Sequence, residues 1–131
     1  MSNPKRKVTD LRLSLKTKWF EMTKAGIKTE DYREINEYWI RRLIAPTDEE
    51  VKVSDVEYYL KGGELDPFKN DNFEIKQFQT TTLTLGYPSA NDTDRIIQFE
   101  HAGIEIRTGN PEWGAEPNKL YFVIKHGKRI L

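Results

Sequence analysis

The chain contains no cysteine, which rules out disulfides and thiolate metal sites. It has two histidines, His101 and His126. Neither has neighbours at metal-ligand spacing, so no metal and no cofactor are expected. No apolar run approaches the ~20 residues that a membrane helix needs. Residues 1–7 are polar and basic with no apolar segment behind them, unlike a secretory signal. The chain therefore reads as cytoplasmic, or nuclear in a eukaryote, with no membrane partner. A glycine-rich phosphate loop is missing, because Gly62-Gly63 follows a helical pattern rather than a strand. No serine occupies a nucleophile-elbow pattern. There is no internal repeat and no low-complexity tract.

Net charge is missing too, at zero over 131 residues, but its distribution is uneven. Residues 1–33 carry nine Lys/Arg against four Asp/Glu, and residues 46–76 carry four against nine. The basic end can hold phosphates, or both stretches can be ordinary solvated surface. A non-specific nucleic-acid coat is usually more basic overall, so any such role is confined to a few nucleotides. The length fits one domain, 1–131, with 1–9 as a flexible tail. A chain of this size buries roughly two-thirds of its unfolded surface, enough for one core without staples.

What is present begins with alternation. Leu11, Leu13 and Leu15 alternate with Arg12, Ser14 and Lys16, the period of a half-buried strand. Thr17 can cap a helix that Gly26 stops; its Trp19 and Phe20 read as core. Residues 29–34 alternate again, with Thr29, Asp31 and Arg33 on one face and Glu30, Tyr32 and Glu34 on the other. Asn36 starts a short helix that ends before Pro46. Ser54 and Glu57 form a capping-box pattern, and that helix stops at Gly62-Gly63. Residues 65–72 read as loop. Residues 73–85 read as one long or bent strand. Residues 95–107 read as another, broken near Ala102-Gly103, and 120–124 as a buried strand with Gly127 turning into a last short one. The expected fold class is α+β: a small, mostly antiparallel β-barrel with two or three flanking helices.

The charged residues between the first helix and the second suggest a site. Arg33 offers a planar fork of donors suited to phosphate or a base edge. Lys28, in a turn after a helix stop, offers a mobile point charge or, if desolvated, a base. Asp31 shares Arg33's face and can orient it. Lys16 and Lys18 can reach the same place. The same charges can equally form an ion-pair cluster on a rim. Trp113, in a loop between Pro111 and Pro117, either packs as a lid or offers a stacking face for a base. Tyr38 and Trp39 carry the same alternatives, and Arg41-Arg42 beside them can contact phosphates.

Gly26-Ile27-Lys28 followed by Asp31-Tyr32-Arg33 resembles the Gly-x-Lys-x-x-Glu-x-Arg signature of ASCH domains, members of the PUA-like superfamily. Leu13-Ser14-Leu15-Lys16 with Trp19-Phe20 is similar to that family's opening, and Leu120-Tyr121-Phe122-Val123-Ile124 to its final strand. The least family-like part is 46–72. The resemblance implies a PUA-like barrel with a cleft that binds RNA, a nucleotide or a modified nucleoside. It carries Lys28 and Arg33 onto the motif's basic positions. Asp31 stands where glutamate is usual, keeping the acid but shortening its reach. In family members that hydrolyse acetylcytidine, that position is a threonine nucleophile working with the motif lysine. This chain has no hydroxyl there, and Thr29 does not match the motif. The expectation is thus a binding module with Lys16, Lys28, Asp31, Arg33, Trp39 and Trp113 as ligand contacts. The alternative is a hydrolase of a modified nucleoside or RNA, with Lys28 and Asp31 as catalytic residues and Asp31 a general base toward water. Arg33→Ala is expected to abolish binding and leave melting nearly unchanged.

Overall fold

The structure, a computed structural model, describes residues 9–46, 51–62 and 73–131. The tail expected at 1–9, save Thr9, and the loop expected at 65–72 lie outside the described residues. The chain divides into two compact units, one of Met1–Thr29, Gln77–Gly103 and Lys125–Leu131, the other of Glu30–Lys76 and Ile104–Ile124. The architecture is mixed α+β, with seven strands and three helices among the described residues.

The first unit holds strand β1 (Asp10–Leu15) and helix α1 (Thr17–Lys24). Leu11, Leu13 and Leu15 are buried while Asp10 and Arg12 are exposed, as the alternation requires. The first residue of α1 is Thr17; Lys16 occupies the capping position and makes no side-chain cap bond. The stop at Gly26 is as expected: with φ at +78° it lets Ile27 N–H reach Met22 O at 3.0 Å, a conformation that favours glycine.

Strand β5 (Thr80–Leu85) pairs parallel with β1 and antiparallel with β6 (Ile96–Thr108). With a neighbour on each side, its Thr81, Thr82, Leu83 and Thr84 are all buried. Buried hydroxyls need partners, and here they have them. Thr80 and Thr82 both donate to Asp10 Oδ1 at 2.8 Å, and Thr84 donates to Gly86 O at 2.7 Å. Thr81 Oγ1 meets His101 Nδ1 at 2.8 Å.

The second unit holds β2 (Glu30–Arg33), α2 (Glu37–Leu43), β3 (Ile44–Pro46), α3 (Val53–Lys61) and β4 (Phe73–Ile75). Asn36 caps α2 as expected, its Oδ1 accepting from Trp39 N–H at 3.0 Å. The capping box expected at Ser54 does not form. Lys52 precedes α3, Ser54 lies inside it, and Glu57 pairs with Lys61 at 2.8 Å instead. Gly62 ends α3. Strands β3 and β4 form a two-stranded antiparallel sheet. The strand expected over 73–85 is therefore two strands in different sheets. Lys76 N–H is spent on Leu43 O at 2.8 Å and Gln79 N–H on Thr9 O at 2.8 Å, so the backbone changes partners between them.

Strands β6 and β7 (Leu120–Arg129) each run through both units. The break expected at Ala102-Gly103 is absent: β6 runs on for 13 residues, with Gly103 at φ +109°. Glycine absorbs that distortion without ending the strand. Gly127 does not turn either. It lies within β7, where an added Cβ would stand 2.7 Å from Glu100 O. The five-stranded sheet has the order β1-β5-β6-β7-β2. This order leaves β1 and β2 as edges, so the expected barrel is not closed. Closure needs the two end strands to pair, at a tilt and stagger set by strand number.

Candidate functional site

Strand β2 displays the period of two through its side-chain bonds. Asp31 and Arg33 share one face, with Arg33 Nε donating to Asp31 Oδ2 at 2.8 Å. Glu30 and Tyr32 share the other, with Tyr32 Oη donating to Glu30 Oε2 at 2.6 Å. Two residues apart on a strand is the spacing that puts side chains on one side.

The Glu30 face is structural. Arg107, from β6, donates through both terminal nitrogens to the Glu30 carboxylate, one bond measuring 3.0 Å. Tyr32 Oη also accepts from Asn110 N–H at 2.8 Å. Burial would push the Glu30 carboxyl up, but hydrogen bonds from Arg107 and Tyr32 outweigh it and the net shift is downward. Tyr32 is pushed up to about 12 by burial and then by Glu30. The phenol therefore stays protonated as a fixed donor. The hydrogen bonds that Arg107 donates to Glu30 raise its pKa further, which keeps the guanidinium charged. Sequence reading missed this network, because Glu30 and Arg107 are 77 residues apart and no local pattern joins them.

The Asp31 face is different in character. Asp31 is only 5% exposed, and Arg33, besides its bond to Asp31, lies 4.9 Å from the centre of the Trp39 ring. Arg42, one turn further along α2, also lies 4.9 Å from that ring. Tyr38 meets Trp39 edge-on at 5.0 Å, with Arg42 5.8 Å from its ring. Tyr38 is 61% exposed. Two guanidiniums thus share one indole at the surface of α2, next to an exposed phenol. Cation–π contact of this kind contributes about 0.5–1 kcal/mol at exposed sites.

Comparison with protein-family models, curated proteins and solved structures finds no match.

The structure brings Asp31, Arg33 and Trp39 together in the second unit. Lys16 and Lys28 belong to the first unit. Lys16 is exposed, whereas Lys28 is 2% exposed. A charge at that depth is held by partners rather than swinging from a turn. Trp113 ends a 3-10 turn, Pro111–Trp113, whose start is capped by Asn110 Oδ1 accepting from Glu112 N–H at 3.0 Å. Tyr32 holds this loop at Asn110, and Tyr121 Oη accepts from Glu116 N–H at 2.9 Å. Trp113 itself is half-buried. Among the described residues no group of three or more His, Asp or Glu could hold a metal. No described helix is long and apolar enough to cross a membrane.

Proposed function

We propose that this chain is a PUA-like, ASCH-type binding module, cytoplasmic or nuclear, for a nucleotide or a short single-stranded RNA. Its recognition surface is the arginine–tryptophan platform of Arg33, Trp39, Arg42 and Tyr38. The observation that carries this reading is the pair of guanidiniums 4.9 Å from a single half-buried indole. Aromatic rings and guanidinium planes are the surfaces on which unstacked bases lie, and the same guanidiniums suit phosphate oxygens. Asp31 acts as a positioning residue: its carboxylate orients Arg33 through the bond it accepts from Nε. That role, with its burial, speaks against Asp31 as a base toward water, and the hydrolase alternative has no observation in its favour.

The test is binding of fluorescein-labelled single-stranded RNA, and of acetylcytidine, to the full chain, followed by anisotropy and calorimetry. Stacking contributes about 1–3 kcal/mol per base, so Trp39→Ala should weaken RNA binding by roughly one to two orders of magnitude. Arg42→Ala should weaken it as well, with the far-ultraviolet spectrum unchanged in both. Undiminished binding by both variants sinks the reading, as does wild-type protein that binds none of the probes.

A further inference from the structure

The second unit also contains a cavity of about 310 Å³ formed by α2, β3, α3 and the residue after β4. Its walls are aliphatic: Ile40, Ile44, Ala45, Val53 and Val56. Ile40, Ile44 and Val56 are at most 3% exposed, so they form a fixed floor. The remaining character is cationic. Arg41, Lys52 and Lys76 line the cavity, and no acidic residue does among the described residues. Arg41 has its charge matched by Glu37 at 3.0 Å. Lys76 Nζ donates to Arg41 O at 3.0 Å, which fixes the ammonium at the rim while using one of its three donors. Lys52 is exposed, at the position preceding α3.

An apolar hollow with ammonium groups at its mouth is complementary to one kind of molecule. We propose that this cavity binds a small amphipathic carboxylate, its hydrocarbon body against Ile40, Ile44 and Val56 and its carboxylate on Lys52 and Lys76. The volume is at the low end of the ~300–1,000 Å³ of small-molecule sites, which limits the body to a short aliphatic chain or a single ring. A nucleotide does not suit these walls, because sugar and phosphate would lose their hydration against side chains that return no hydrogen bond. The site is independent of the Trp39 platform and stands or falls separately.

Methyl-resolved NMR titration of the full chain tests this, with octanoate below its micelle concentration and octanol as the neutral match. Octanoate should give saturable shifts at Ile44, Val53 and Val56, and octanol should bind at least tenfold more weakly. Lys52→Glu, on an exposed side chain, should weaken octanoate at least fivefold and leave octanol unchanged. The proposal is overturned by the absence of saturable shifts at those methyls. Equal affinity for the two probes, or a Lys52→Glu variant that binds octanoate as well as the parent, overturns it too.

Discussion

Arg33 meets Asp31 and Trp39, which make different demands on it. The buried carboxylate of Asp31 accepts from its Nε, while its guanidinium carbon lies 4.9 Å from the centre of the Trp39 ring. Removing the guanidinium therefore does more than weaken a ligand contact. It takes an ion-pair partner from a carboxylate that is 5% exposed, and breaking a buried pair costs on the order of 3 kcal/mol. Arg33→Ala should accordingly lower stability by about that amount in urea denaturation, contrary to the nearly unchanged melting expected from the sequence. If Arg33→Ala unfolds at the parent's midpoint, Asp31 is not held as described. A second residue-scale effect concerns His101. Burial lowers its pKa below the ordinary 6.5, so the folded state favours the neutral ring that meets Thr81. Its stabilising contribution is complete above the unfolded value and is lost as pH falls through the lower, folded one. Glu30 behaves likewise further down, losing its contribution as pH falls below the ordinary 4.5. The urea midpoint should thus hold steady above pH 7, decline first below about 6.5 and again in the Glu30 range. His101→Gln should remove the first decline and keep the second.

At the scale of elements, Gly127 shows a demand that the sequence disguises. Glycine before a terminal basic stretch reads as a turn, but here the chain continues as β7 with Glu100 O against the bare Cα. A methyl group would stand 2.7 Å from that backbone oxygen, and backbone cannot swing aside as a side chain can. Gly127→Ala should therefore destabilise by about 1–3 kcal/mol in urea denaturation, whereas Gly86→Ala meets no atom within 4 Å and is limited by its φ of +67°. Equal costs at the two glycines would refute the close approach. The same contrast explains what was legible. Period-two alternation revealed β1 and the two faces of β2, and Asn36 and Gly26 marked helix ends, because those signals are local. The Ser54 capping box failed because a cap competes with neighbours one residue away, and the helix began at Val53. The partition of 73–85 into β4 and β5 was invisible because it depends on Leu43 O and Thr9 O, acceptors far away in sequence.

For the molecule as a whole, the candidate platform was only half legible. Asp31, Arg33 and Trp39 were each named by residue type, and the strand period put the first two together. The approach of Trp39 and Arg42 to Arg33 depends on how the chain turns between β2 and α2, which no spacing rule encodes. Net charge sets how such a surface binds. With 21 basic and 21 acidic residues, long-range attraction for a polyanion is weak, and affinity for RNA has to come from the few cations at the platform and from stacking. Neutralising a phosphate on a single strand contributes a slope of about −0.7 to the dependence of log affinity on log salt. Two arginines, Arg33 and Arg42, thus predict a slope of about −1.4 for a short RNA, and Arg42→Ala should bring it to about −0.7. Trp39→Ala should reduce affinity and leave the slope in place, because stacking releases no counterions. A steep slope that persists in Arg42→Ala would mean that the basic residues of 1–28, not the platform, hold the phosphates. A slope near zero would mean that the arginines serve Trp39 alone.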